Sequence, residues 1–80
     1  MFIAKDYNKL LGLSFLSDEL LNNHFKLYEG YVTNTNTVYT RLKELVSEGK
    51  TGAGEYGELK RRFGWEFNGM RLHELYFENL

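Results

Sequence analysis

The sequence predicts an all-α fold, a long antiparallel hairpin of two helices, and three observations carry that prediction. Steps of three and four residues from Leu21 reach His24, Tyr28, Tyr31, Thr35, Val38, Leu42 and Leu45, the seam that one face of a helix presents. A second segment repeats the pattern with Tyr56, Leu59, Phe63, Glu66 or Phe67, Met70, His73, Phe77 and Leu80. Between them lies Glu48 to Gly54, EGKTGAG, which holds three of the eight glycines and reads as a short interhelical turn. Two long helices joined by such a turn fold back on one another.

Taken in order, residues 1–16 read as an N-terminal strap of mixed character, with Leu10, Leu11 and Leu13 allowing a short helical turn that Gly12 interrupts. Residues 14–17 read as a connection. Ser17 followed by Asp18 and Glu19 is a strong helix start, a hydroxyl to cap and two carboxylates on the positive end of the dipole. The first helix is therefore expected over residues 17–47, with Gly49 as its terminator. Gly30 and the polar run Thr33 to Thr37 lower helix propensity and mark where a bend would fall. A second apolar line, Phe25, Val32, Tyr39 and Val46, widens the helix's contact face beyond what one neighbour covers. The second helix is expected over residues 55–80, where Gly57, Gly64 and Gly69 signal breaks or close approaches.

Eighty residues make one domain, 1–80, with a thin core, so assembly into an oligomeric bundle or docking on a further domain is expected. Ten Lys and Arg against eleven Asp and Glu give a formal charge of -1, which argues against nucleic acid or an anionic membrane as the main partner. The absence of cysteine removes disulfides and thiolate ligation, leaving His and carboxylates for any metal. No run of apolar residues is long enough to span a membrane and the N-terminus lacks a leader pattern, so the cytoplasm is the expected location. Six Tyr, six Phe and one Trp can be read as large rings filling a short chain's core, or in part as the walls of a site offering a phenol as donor.

The chain's two histidines, His24 and His73, fall on the inner seams of different helices. Each alone reads first as a buried, hydrogen-bonded core residue; as a pair they invite a metal-ligand reading, since neutral imidazoles suit Fe, Mn, Zn, Cu or Ni. Pairing the helices about the turn sets His24 level with about residue 79, roughly 9 Å from His73 at 1.5 Å per residue, a gap that a bend at Gly30 or Gly64 would close. Glu66 and Glu74 are the carboxylates nearest on the second helix, with Glu74 turned about 100° from His73. No HExxH motif, Ser/His/Asp set or phosphate loop is present.

At these residues the sequence resembles the iron/manganese superoxide dismutases, specifically their N-terminal helical hairpin domain. His24, Tyr28 and the run Tyr31-Val32-Thr33-Asn34-Thr35-Asn36 are similar to a family helix with a ligand His, a His or Tyr four residues on, and a Tyr-Val-x-Asn-x-Asn run. Leu72-His73-Glu74-Leu75-Tyr76-Phe77-Glu78-Asn79-Leu80 is similar to the family segment Asn-His-Ser-Leu-Phe-Trp-Glu-Asn-Leu. The resemblance implies that His24 and His73 are metal ligands, that Tyr31 is an outer-sphere phenol guarding substrate entry, and that Tyr28 lines the same funnel. It implies one Mn or Fe ion per completed site and superoxide as substrate. Gly69, four residues before His73, matches manganese-type members, where iron-type members often carry Gln.

Two departures accompany the resemblance. His24 and Tyr31 are seven residues apart where the family commonly has eight, with an extra residue bulging its helix. Family members also continue into an α/β domain that supplies an Asp ligand and a third His, and this sequence ends at Leu80. The resemblance therefore implies the N-terminal half of a superoxide dismutase, incomplete and inactive as eighty residues alone, completed by an α/β domain or another chain. The alternative is a non-catalytic helical hairpin serving as an oligomerisation or interaction module.

Overall fold

A computed structural model describes residues 1–12 and 17–80. It contains a 3-10 turn at Asn8–Leu10 and two helices, α1 at Asp18–Ser47 and α2 at Gly54–Glu78, which pack against one another as the expected antiparallel hairpin. The hairpin is a rod of 53 × 18 × 17 Å, consistent with a 30-residue helix rising about 1.5 Å per residue. Leu13 and the connection expected at 14–16 lie outside the described residues.

α1 begins as expected, with the Ser17 hydroxyl accepting from the Leu20 N–H and Asp18 and Glu19 in the first turn. It ends in a Schellman motif, in which Gly49 at φ 70° lets the Lys50 N–H reach the Leu45 carbonyl at 2.8 Å. Gly30 and the Thr-rich run do not divide α1, which is one unbroken element. The hydroxyls there turn inward on the helix itself: Thr35 Oγ1 donates to the Tyr31 carbonyl at 2.6 Å and Thr37 Oγ1 to the Thr33 carbonyl at 3.0 Å. Thr35 can thus be fully buried at no loss of hydrogen bonding.

α2 likewise runs through its glycines without a break. Of the three, only Gly69 marks a close approach; a Cβ at Gly57 or Gly64 would meet nothing. Leu80, expected on the inner face, lies beyond the helix and is exposed, as is Val46 at the end of the second apolar line of α1. Both lie at the ends of their helices.

The core runs along the hairpin and the strap completes it. Leu21, Tyr28 and Val32 of α1, Met70 and Phe77 of α2, and Tyr7 and Leu10 of the strap are buried together. The strap is gripped by the side chain of Asn36, which accepts from the Phe2 N–H and donates to the Phe2 carbonyl, both at 2.8 Å. Phe2 packs its ring among Tyr39, Phe63 and Phe67. This two-way grip on a main chain lets extended peptide lie on a helix with its polar groups satisfied.

Candidate functional site

The structure brings the two histidines together. Their ring centroids are 5.9 Å apart, and both rings are half-buried on the seam between α1 and α2. The expected gap, and the bend to close it, are not needed. Glu74 bonds to Tyr28 and Gly69 abuts Tyr31, which sets His24 level with about Phe77 rather than residue 79. The remaining offset of one turn is within reach of two imidazoles on a shared seam.

The His73 ring is held from one side. Its Nδ1 lies 2.8 Å from the Gly69 carbonyl, an acceptor only, so Nδ1 carries a proton, and in the neutral ring the lone pair is then on Nε2. A main-chain carbonyl behind an imidazole is the usual device for orienting a metal-ligating His. The Nδ1 of His24 is buried with no hydrogen-bond partner, an orphaned polar atom in the same cluster. Two imidazoles side by side, one held by a main-chain acceptor, are in their neutral form a donor set that fits a borderline divalent or trivalent metal. Among the described residues no group of three or more His, Asp and Glu comes together.

Tyr31 sits against this pair, its ring centroid 5.4 Å from that of His73. The ring fits because residue 69 has no side chain: a Cβ there would lie 2.6 Å from Tyr31 Cζ and closer still to two other ring carbons. Gly69 thus supplies both the slot for Tyr31 and the acceptor for His73. α1 is regular α-helix throughout, and on such a helix seven residues return to within about 20° of the starting direction, whereas eight overshoot to about 80°. The spacing of seven is therefore what keeps Tyr31 on the line of His24 without a bulge. Tyr76 closes the other side, its ring 5.2 Å from His24.

Tyr28 lies on the opposite flank of the seam, against Tyr7 and Phe77. It is 2% exposed, and its hydroxyl donates to Glu74 Oε2 at 2.6 Å while accepting from the Lys5 N–H at 3.0 Å. Burial, reinforced by the bond to Glu74, pushes its phenol up to about 12. Glu74 is itself 4% exposed and takes a second bond from Arg71 Nη1 at 2.7 Å. Nearby, Tyr7 donates to Glu78 at 2.5 Å; burial first and this bond second raise the Tyr7 phenol well above its usual range, while the same bond and Lys5 hold Glu78 low.

His24, His73 and Tyr31, singled out from the sequence, do come together, but the Tyr28–Glu74 bond was not anticipated. Its signal was present: Phe67, Met70, Glu74 and Phe77 follow one another at helical steps, which puts a carboxylate on an apolar line where it needs hydrogen-bond donors.

The hairpin thus sets two imidazoles and a phenol on one seam. The chain is 35% identical over 78 residues to a protein of Aquifex aeolicus and, equally, to one of Aquifex pyrophilus, each named superoxide dismutase [Fe]. It is 29% identical over 68 residues to a third of the same name from Saccharolobus solfataricus. These alignments cover 91%, 91% and 82% of this chain and 37%, 37% and 32% of the relatives, so the chain spans about a third of their length. They show the resemblance read from the two motifs: the chain matches an N-terminal portion of the iron/manganese superoxide dismutase family. No family model matches the chain, and no solved structure matches it. Among the described residues no helix is long and apolar enough to cross a membrane.

Proposed function

We propose that the chain is the N-terminal half of a superoxide dismutase, in which His24 and His73 are two of the ligands to a redox metal. The observation that carries this reading is the side-by-side imidazole pair, with His73 locked through Nδ1 and Tyr31 wedged beside it on Gly69. Bound there, the metal would supply one-electron chemistry, converting two superoxide anions and two protons to oxygen and hydrogen peroxide. The chain's own residues hold and screen. The imidazoles donate through nitrogen, the Gly69 carbonyl keeps the His73 proton on Nδ1, and the Tyr31 ring restricts approach and offers its hydroxyl to solvent in the funnel. Tyr28, the second phenol assigned to the funnel, contributes from behind the seam, where its hydroxyl is engaged with Glu74.

The relatives named as iron enzymes favour iron, and Gly69 favours manganese; the donor set accepts either. Two imidazoles leave the shell open, so the completed site draws further ligands from an α/β domain or another chain, and the hairpin alone binds metal weakly and turns over little superoxide. The test is to combine the chain with the C-terminal remainder of the Aquifex aeolicus relative and measure metal content and dismutation. His24→Ala and His73→Ala should each remove most of the metal, and the double variant should lose little more, because the pair acts as one unit. Unchanged metal content in both variants would sink the reading. The second reading, a non-catalytic module, is favoured by the apolar side chains left open around the pair, Leu20, Leu27, Trp65 and Leu72.

A further inference from the structure

We infer that Glu74 and Tyr28 are positioning residues for His73, and that the N-terminal strap is part of the device through Lys5. This rests on the reading of His73 as a ligand. Glu74 follows His73 in sequence, so the two side chains leave α2 about 100° apart: the imidazole toward His24, the carboxylate toward the strap. Whatever fixes the rotation of this turn about the helix axis fixes both.

The carboxylate is fixed at both oxygens. A charge that is 4% exposed is costly unless satisfied, and here Oε2 takes the Tyr28 hydroxyl at 2.6 Å and Oε1 takes Arg71 at 2.7 Å. Tyr28 spends its single proton on Glu74 and accepts from the Lys5 main chain, so one phenolic oxygen joins the strap, α1 and α2. On the other side of the same stretch of α2, Leu72 is 64% and Trp65 73% exposed, and pin nothing. Apolar packing through Phe77 tolerates small slides of one helix on another; a short, buried, charge-assisted hydrogen bond does not. A rotation of α2 that lengthened the Tyr28–Glu74 bond would carry His73 away from His24.

The experiment uses the chain itself with Zn²⁺ as probe, followed through the nitrogen resonances of the two imidazoles. Tyr28→Phe keeps the ring and removes the hydroxyl. The expected result is unchanged helicity, a zinc affinity lower by about tenfold, as is usual when a group that orients a ligand is lost, and a His73 ring no longer confined to the Nδ1–H form. Glu74→Gln, which still accepts from Tyr28, should lose less affinity than Tyr28→Phe. Val38→Ala, a buried site toward the turn, serves as the control for general loss of stability and should leave affinity and tautomer as in the parent chain. Parent-like zinc affinity and tautomer in Tyr28→Phe, or an equal loss in Val38→Ala, would overturn the assignment. Zinc uptake by the parent that survives His73→Ala would overturn the ligand reading itself, and this proposal with it, a result distinct from the first two.

Discussion

The two flanks of the helix seam are built from the same kinds of side chain and treated differently. On the strap flank, Phe25, Tyr28 and Val32 of α1 meet Phe67, Glu74 and Phe77 of α2 beneath a covering segment, and every polar group named there finds a partner. On the open flank, Leu20 and Leu27 border His24 and Tyr31 on α1, while Trp65, Leu72 and Tyr76 border Gly69 and His73 on α2, and nothing covers them in the described chain. One flank reads as finished protein. The other reads as half of an interface, and it is the flank that holds the imidazoles and the orphaned His24 Nδ1. The difference teaches where this hairpin spends its packing: one side secures the register of the helices, the other leaves its apolar side chains and the histidine pair uncovered.

The largest effect that separates the flanks should come from Gly69→Ala. A single methyl there enters the Tyr31 ring, so either the ring leaves the seam or the helices part. Overpacking of this kind costs about 1–3 kcal/mol, and the strap flank should feel only the share transmitted through the helix. Thermal unfolding should show the loss, and ring resonances should move for Tyr31 and His73 while those of Tyr7 and Tyr28 hold still. A shift spread evenly over both flanks would remove the distinction.

Alkali should act on the strap flank in turn. The folded chain favours the neutral phenol of Tyr28, through burial first and the Glu74 bond second, so its stabilising contribution is complete below the ordinary value of 10.0 and is lost as pH rises through about 12. Tyr7 is raised in the same direction, by burial and then by Glu78. The unfolding temperature should therefore fall between about pH 10 and 12, and Tyr28→Phe, less stable at neutral pH, should flatten that fall. A parent chain whose stability is level across that interval would show that the phenols are not bonded as described.

The seam was legible in sequence because both flanks obey one helical period. Leu21, Tyr28, Thr35, Val38 and Leu45 were all named from their spacing and all are buried, and both helix ends followed from Ser17 and Gly49. The meeting of His24 and His73 was legible as a possibility only, since a slip of two residues in the register decided between contact and a gap of several ångströms. Glu74 was legible only in part: its place on the line of Phe67, Met70 and Phe77 marks it for burial, but nothing in its own segment names Tyr28 as the group opposite. The strap was least legible of all, because its grip comes from Asn36, 34 residues away, and from a main-chain contact that leaves no pattern in side chains.

The smallest effect on the folded hairpin, and the one that tests the open flank most directly, should come from its exposed apolar side chains. Trp65 is 73% exposed and Leu72 64%, so Trp65→Ser with Leu72→Ser removes little buried area and should change the stability of a single hairpin by no more than about 0.5 kcal/mol per site. If the flank is an interface, the same pair of changes acts on association instead, since apolar area withdrawn from water on docking contributes about 25 cal/mol per Å². Sedimentation at micromolar concentration should then show the parent chain as a self-associated species and the double variant as a lighter one, with the same helicity in both. A compact monomer in both cases would overturn the expectation that the chain self-associates through this flank.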